Sequence, residues 1–437
     1  MTGPGAKTEL IDAPASDAIR VRRFRVILAA TVGNTLEWYD FLVYALLAVT
    51  IAKLFFPAGS ELNSLLLSMA TFGIGLVTRP VGAVVLGMYA DRVGRKAALS
   101  LAIFIMALGT GLIAIAPTYE TIGIWAPLLI VFARLLQGFS CGGELGGAIA
   151  LLVENAPERR RGLHASWQAA SQSAGFLLGA VVTVTVTLTM TPAQIESGGW
   201  RWPFVFGLLI APVGLYIRSQ LQEPELFLKA REAARSAAMA DTLRQEGRLA
   251  FLALGVSVLY VVSAYVLFVY MPTFAVRQLQ LSFSSALLAP IAAACLNLLC
   301  TPVAAAISDR VGRKPMLRLA TLAYLLLTYP AFALLTARPS VAVLTVVQLG
   351  FAVLMALYGG PVVAVLAELF STRVRSTAIA VAYNLVAMVG GFAPFVVTWL
   401  IAATGNPRAP AFYVIGAAVI SGCALFWLRD RYMEPLR

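Results

Sequence analysis

From Val26 to Leu428 the sequence is a succession of apolar stretches, at least a dozen of them about 18 residues or longer, parted by short charged or turn-forming clusters. A bilayer offers a bare backbone no water to bond with, so such stretches cross it as α-helices whose amides are satisfied internally. A chain that is 60% hydrophobic and 12% charged also lacks the polar surface of a water-soluble domain. The sequence therefore predicts an all-α membrane protein with twelve transmembrane helices, at 26–55, 63–89, 97–116, 124–153, 162–189, 202–221, 249–275, 284–307, 315–336, 340–368, 377–402 and 411–428.

The pattern is doubled. Ala90-Asp91-Arg92-Val93-Gly94-Arg95-Lys96 returns as Ser308-Asp309-Arg310-Val311-Gly312-Arg313-Lys314, with Asp91 and Asp309 standing 218 residues apart in a chain of 437. Glu154 with Arg161 returns as Glu368 with Arg375, each 214 residues on. An apolar chain duplicated in this way implies two pseudo-symmetric six-helix bundles with a substrate site between them. The expected division is a tail at 1–25, a bundle at 26–221, a linker at 222–248, a second bundle at 249–428 and a tail at 429–437.

The net charge of +12 reports topology rather than a nucleic-acid partner. Basic residues gather at alternate loops, around Arg20 to Arg25, Arg92 to Lys96, Arg159 to Arg161, Lys229 to Arg248, Arg310 to Lys314, Arg373 with Arg375, and Arg429 to Arg437. By the positive-inside rule these loops, and with them both termini, are expected in the cytoplasm. The opening residues are polar and hold no apolar core of a cleavable signal, so the first span is expected to direct insertion. Cys141, Cys295, Cys300 and Cys423 all fall in apolar stretches without metal-ligand spacing and read as small membrane-buried side chains. No cofactor or metal is expected.

Gly87 through Lys96 resembles the loop signature of the major facilitator superfamily. Arg134-Leu135-Leu136-Gln137-Gly138 resembles the Arg-x-x-Gln-Gly element found on the fourth helix of proton-coupled members. Gly33-Asn34-Thr35-Leu36-Glu37-Trp38-Tyr39-Asp40-Phe41 and Arg134 through Gly147 resemble the metabolite:proton symporter family, a likeness covering essentially the whole chain. Within it, Ser166-Trp167-Gln168-Ala169-Ala170-Ser171-Gln172 is most like the citrate and tricarballylate carriers. The resemblance implies a monomeric, proton-coupled secondary transporter of a bacterial inner membrane. It would import a small organic anion, a di- or tricarboxylate such as citrate, by alternating access. Shikimate or a zwitterion such as proline or betaine is the runner-up, although betaine carriers commonly extend into a C-terminal coiled coil and this sequence stops at Arg437. Drug/proton antiport is disfavoured because Ser173 through Gly179 lacks the Gly-Pro of drug exporters. A non-transporting membrane sensor is remote, and an enzyme more so, since no nucleophile–base pair or phosphate loop is apparent.

Ionisable groups at a bilayer centre cost on the order of 3 kcal/mol each, so those present demand a reason. Glu37, Asp40, Arg79, Arg134 and Glu144 lie well within predicted helices, all in the first half. Helical rise puts Glu37, Arg79 and Glu144 near the midplane and Asp40 with Arg134 roughly 5–10 Å further out. Two layers follow, each expected to pair an acid with a base. Glu37, Asp40, Arg134 and Glu144 are the candidates for proton coupling, and Arg79 for the substrate. At the repeat offsets Arg79 corresponds to Asn297, Arg134 to Gln348 and Glu144 to Tyr358. The facing wall should therefore be polar and aromatic, with Tyr260, Tyr265, Asn297, Tyr358 and Asn384 as the candidate contacts. Asn34 belongs with them, as do Gln168, Ser171 and Gln172, which share a helix face and can hold carboxylates without another buried cation.

Gly94 permits the tight turn that lets Asp91 and Arg95 face each other. The resemblance makes these groups a latch with Glu154 and Arg161, and makes Asp309, Arg313, Glu368 and Arg375 its counterpart in the second half. Bends are expected at Gly359-Gly360-Pro361 and at Gly390-Gly391 with Pro394.

Overall fold

The structure is a computed structural model that describes residues 13–93, 95–219, 239–372 and 374–436. Most of the expected linker, up to residue 238, lies outside the described residues. Ten helices are long and apolar enough to cross a membrane, and the bent pair Val26–Leu46 with Ala48–Phe55 makes an eleventh span. Trp202–Ser219, apolar apart from Arg218, is the remaining expected span. In chain order the first five are Val26–Leu46 with Ala48–Phe55, Glu61–Tyr89, Ala97–Ile115, Trp125–Glu154 and Glu158–Thr189. Trp202–Ser219 is the sixth. Gly247–Arg277, Phe283–Val311, Arg313–Ala337, Val341–Leu369, Arg375–Thr404 and Ala409–Trp427 complete the series. The result is a multi-pass, all-helical membrane protein. Odd spans leave, and even spans return to, the end of the molecule that carries the basic loops, hereafter the basic end.

Local chemistry sets the starts and stops. Spans two, eight and ten begin at Ser60, Ser282 and Ser340, whose side chains accept the backbone N–H groups of Asn63, Ser285 and Val343. Span eight stops at Gly312, whose φ of 101° suits glycine and turns the chain straight into Arg313. Small residues then set the spacing between spans. A Cβ on Gly138 would run into the carbonyl of Gly75, one on Gly82 into that of Phe139, and one on Gly142 into that of Arg79. Spans two and four therefore lie backbone to backbone, as close as glycine permits.

Several spans are interrupted near mid-depth. Span one turns by 62° at Leu47. Span two breaks at Thr78, span four at Gly142 to Glu144, and span eleven at Gly391 and Phe392. Span seven widens into a π-helical segment at Ala264–Tyr270. The bend expected at Gly390-Gly391 is thus present, whereas span ten stays one helix with Pro361 inside it. Its glycines serve packing instead: Gly359 lies against the Tyr260 ring and Gly360 against the Thr301 carbonyl.

Candidate functional site

Arg79 is the first helical residue after the break in span two and is 2% exposed. Its Nη2 donates to Glu37 Oε1 of span one at 2.7 Å, and its Nε donates to Asn384 Oδ1 of span eleven at 3.1 Å. Asn384 Nδ2 in turn donates to the Gly142 carbonyl at 2.8 Å, at the break in span four. One guanidinium therefore ties the two halves together where their helices are interrupted. Irregular backbone at this depth is tolerated only against a cavity or other protein, and here it is packed against the facing half.

The seam continues along span five. Gln172 Nε2 donates to the Tyr383 hydroxyl at 3.2 Å, and its Oε1 accepts from the Tyr260 hydroxyl at 2.8 Å. Ser173 Oγ donates to Asn297 Oδ1 at 2.6 Å, while Asn297 Nδ2 donates to the Ala352 carbonyl. Asn34 Nδ2 donates to Ser171 Oγ at 2.7 Å and to the Gln168 carbonyl at 3.0 Å, which engages Asn34 and Ser171 in holding span one to span five. Gln168 is buried and its Nε2 makes no hydrogen bond. The Trp38 and Tyr265 rings face each other across the seam at 5.9 Å. Tyr358 does not join this set: its hydroxyl donates to the Val256 carbonyl at 2.7 Å, inside the second half. The repeat offset misplaced it because it aligns helices, not the faces they turn to the seam. Tyr383 and Ser173 are seam residues that the sequence reading missed. Each adjoins an expected contact, Asn384 or Gln172, and that adjacency was the available signal.

The second charged layer differs from expectation. Asp40 and Arg134 do not pair directly. Arg134 Nη1 donates to Gln137 Oε1 at 2.7 Å, Gln137 Nε2 donates to Thr110 Oγ1 at 2.9 Å, and Thr110 Oγ1 donates to Asp40 Oδ2 at 2.7 Å. The Phe41, Tyr44 and Phe72 rings lie 4.4, 4.6 and 5.0 Å from the guanidinium carbon. Those aromatic rings occupy the space a carboxylate would need, and their faces partly compensate the buried cation. Asp40 Oδ1 and Arg134 Nε and Nη2 are buried without a hydrogen bond. A cavity of about 30 Å³ is lined by Glu37, Asp40, Thr110, Ser140, Cys141 and Glu144 among others. It joins the two layers and has room for about two waters. Gln348, the counterpart of Arg134, instead donates to the Leu267 carbonyl in the π-helical segment at 2.9 Å.

At the basic end the latch groups are exchanged between halves. Glu154 and Arg161 do not pair with each other; Glu154 Oε1 meets Arg375 Nη1 of the other half at 3.0 Å, and Arg161 Nη1 donates to the Glu434 carbonyl at 2.7 Å. Asp309 accepts the N–H groups of Gly162 and Leu163, at 2.8 and 2.9 Å, where span five begins. That carboxylate sits on the positive end of a helix from the opposite half. Arg313 Nη2 also reaches Asp309 Oδ1 at 2.8 Å and Glu368 Oε1 at 3.0 Å. The side chains of Asp91 and Arg95 lie outside the described residues. At the opposite end Arg277 pairs with Glu61 at 2.8 Å; nearer mid-depth the Phe176 and Phe268 rings meet edge to face, and Phe392 fills the space over Gly73. The halves thus touch at the basic end, near mid-depth and, through one exposed ion pair, at the opposite end.

Residues 26–429 match the profile of the family described as sugar (and other) transporter. The chain is 38% identical to the citrate-proton symporter of Klebsiella pneumoniae, over 95% of this chain and 94% of that one. It is 32% identical to the proline/betaine transporter of Escherichia coli (strain K12), over 94% of this chain and 85% of that one. Among solved structures, the proton:xylose symporter XylE bound to 6-bromo-6-deoxy-D-glucose superposes with a TM-score of 0.76 at 19% identity, covering 95% of this chain and 98% of that one.

Proposed function

The chain belongs to the sugar (and other) transporter family, within the major facilitator superfamily, and from that premise we propose that it imports a di- or tricarboxylate such as citrate together with protons. It is a transporter rather than an enzyme. The observation that carries the substrate reading is Arg79, a buried cation at the seam whose only acidic hydrogen-bond partner among the described residues is Glu37. A substrate carboxylate can replace Glu37 on that guanidinium only when the Glu37 carboxyl is neutralised, so binding an anion and binding a proton become one event. Asp40 and Glu144, which share the small cavity with Glu37, supply a route for that proton through water. Release follows when Glu37 loses its proton and reclaims Arg79. Gln168, Gln172, Tyr383, Tyr260, Asn297 and Asn384 would hold the remaining substrate oxygens with neutral donors.

The bundles at 26–221 and 249–428 are read as the moving bodies, joined by the linker at 222–248, in a functional monomer. The basic end is assigned to the cytoplasm of a bacterial inner membrane by its arginines and lysines. Asp309, Arg313, Glu368, Arg375, Glu154 and Arg161 act as its latch, with Asp91 and Arg95 as further members.

The test is uptake of labelled citrate into proteoliposomes with and without an inward proton gradient, in competition with unlabelled 2-oxoglutarate, shikimate and betaine. Accumulation that needs the gradient and is blocked by citrate supports the proposal. Gradient-driven uptake of betaine with no competition by citrate overturns the substrate and favours the second reading, a zwitterion carrier. That alternative is supported by the betaine-carrying relatives and by the Trp38 and Tyr265 rings beside the Glu37–Arg79 pair, which suit a quaternary ammonium.

A further inference from the structure

On the membrane-facing surface of the second half a groove of about 970 Å³ runs between spans seven, eleven and twelve. Its walls are apolar, with Phe251, Val258, Leu385, Val389, Ile420 and Trp427 among them, and several of these are exposed. Its mouth is different: Arg248, Arg429 and Arg431 stand there together, at the basic end. Glu434 lies 3.2 Å from Arg429 Nη2 and 3.8 Å from Arg431 Nε, so a single carboxylate is shared between two of the three guanidinium groups. Arg431 Nε and Nη1 are buried and make no hydrogen bond. The adjacent Lys314 and Asp430 carry opposite charges and so leave this excess unchanged; Lys314 Nζ donates to the carbonyls of Phe426 and Leu428, and Asp430 accepts the Lys314 backbone N–H.

The groove reaches inward to Val262 and Gly390. From Arg248 to Val262 that is roughly 20 Å of helix, more than half of the hydrocarbon core. A cationic mouth at headgroup level above a long apolar trough is complementary to one kind of molecule. We infer that this groove seats an anionic phospholipid, its phosphate on Arg248, Arg429 and Arg431 and its acyl chains lying along spans seven, eleven and twelve. Basic pockets between helices on the cytoplasmic face recognise such headgroups, and anionic lipid is concentrated in that leaflet. The inner end of the groove adjoins both the π-helical segment of span seven and the break of span eleven, where Gly390 packs on Val261 and Tyr265. The chains would therefore support, from behind, the two interrupted helices that present Tyr265 and Asn384 to the seam.

The purified, delipidated full chain in detergent is titrated with phosphatidylglycerol, phosphatidylcholine or glycerol 3-phosphate while its melting temperature is followed. Phosphatidylglycerol is expected to raise the melting temperature saturably and the other two are not. The triple variant Arg248→Gln, Arg429→Gln, Arg431→Gln is expected to need about tenfold more phosphatidylglycerol or beyond. As a second readout on the unaltered protein, phosphatidylglycerol should slow N-ethylmaleimide labelling of Cys423, which lines the groove, without slowing that of the exposed Cys295 on span eight. An equal rise with phosphatidylcholine, the full rise with glycerol 3-phosphate alone, or unchanged Cys423 labelling overturns the inference.

Discussion

Arg79 is bonded to an acid of one half and an amide of the other, and no other cation reproduces that fork. Lysine keeps the charge but not the planar pair of donors. Arg79→Lys is therefore expected to lower citrate uptake by at least about 30-fold, corresponding to ~2 kcal/mol, with the fold intact. Glu37→Gln should separate the two halves of the proposed coupling. Counterflow of labelled against unlabelled substrate should persist, while accumulation against a gradient and its fall with rising external pH should both disappear; retained accumulation would exclude Glu37 as the coupling acid. These positions were legible in the sequence because a charge in an apolar stretch is conspicuous wherever it points. Tyr383 and Ser173 were not, because a tyrosine or serine in a span is ordinary until a neighbour is seen.

Helices were legible, and of their interruptions only the one at Gly390-Gly391 was foreseen. Length and apolarity are properties of a stretch by itself, so the spans begin and end within a few residues of expectation. A break depends on what lies beside it. At Thr78 the local signal is Pro80, which has no N–H with which to continue the helix; Thr78 Oγ1 donates across to the Leu135 carbonyl, and Arg79 restarts the helix. The segment Ala264–Tyr270 reads as any apolar helix, and its wider winding is accompanied by Gln348 bonding the Leu267 carbonyl. Gln348→Leu should leave that buried carbonyl without its side-chain partner and lower stability by about 1–3 kcal/mol, read as a reduced melting temperature. Gly138→Val should be worse, because it pushes span four off the Gly75 carbonyl; overpacking of this kind costs about 1–3 kcal/mol or more and shifts Arg134 and Gln137 with it.

At the scale of the molecule the doubled motif foretold two similar halves but not which half would supply each partner. A repeat is symmetric on paper, so Glu154 reads equally well with Arg161 or with Arg375; only the assembled seam decides. The exchange has a measurable consequence. Asp309→Asn combined with Glu154→Gln should open the basic end, seen as longer distances between spin labels placed there on the two halves, whereas Glu61→Gln at the exposed opposite end should change little. The position of Asp309 bears finally on speed. When Gly162 and Leu163 withdraw, its carboxylate still has Arg313 beside it, and the uncovered N–H groups are at a helix end that water can reach. Neither partner is stranded during separation, so the barrier to parting is low even though the closed contact is specific. A contact of that kind would suit two bodies that part and rejoin repeatedly rather than a joint built to stay shut.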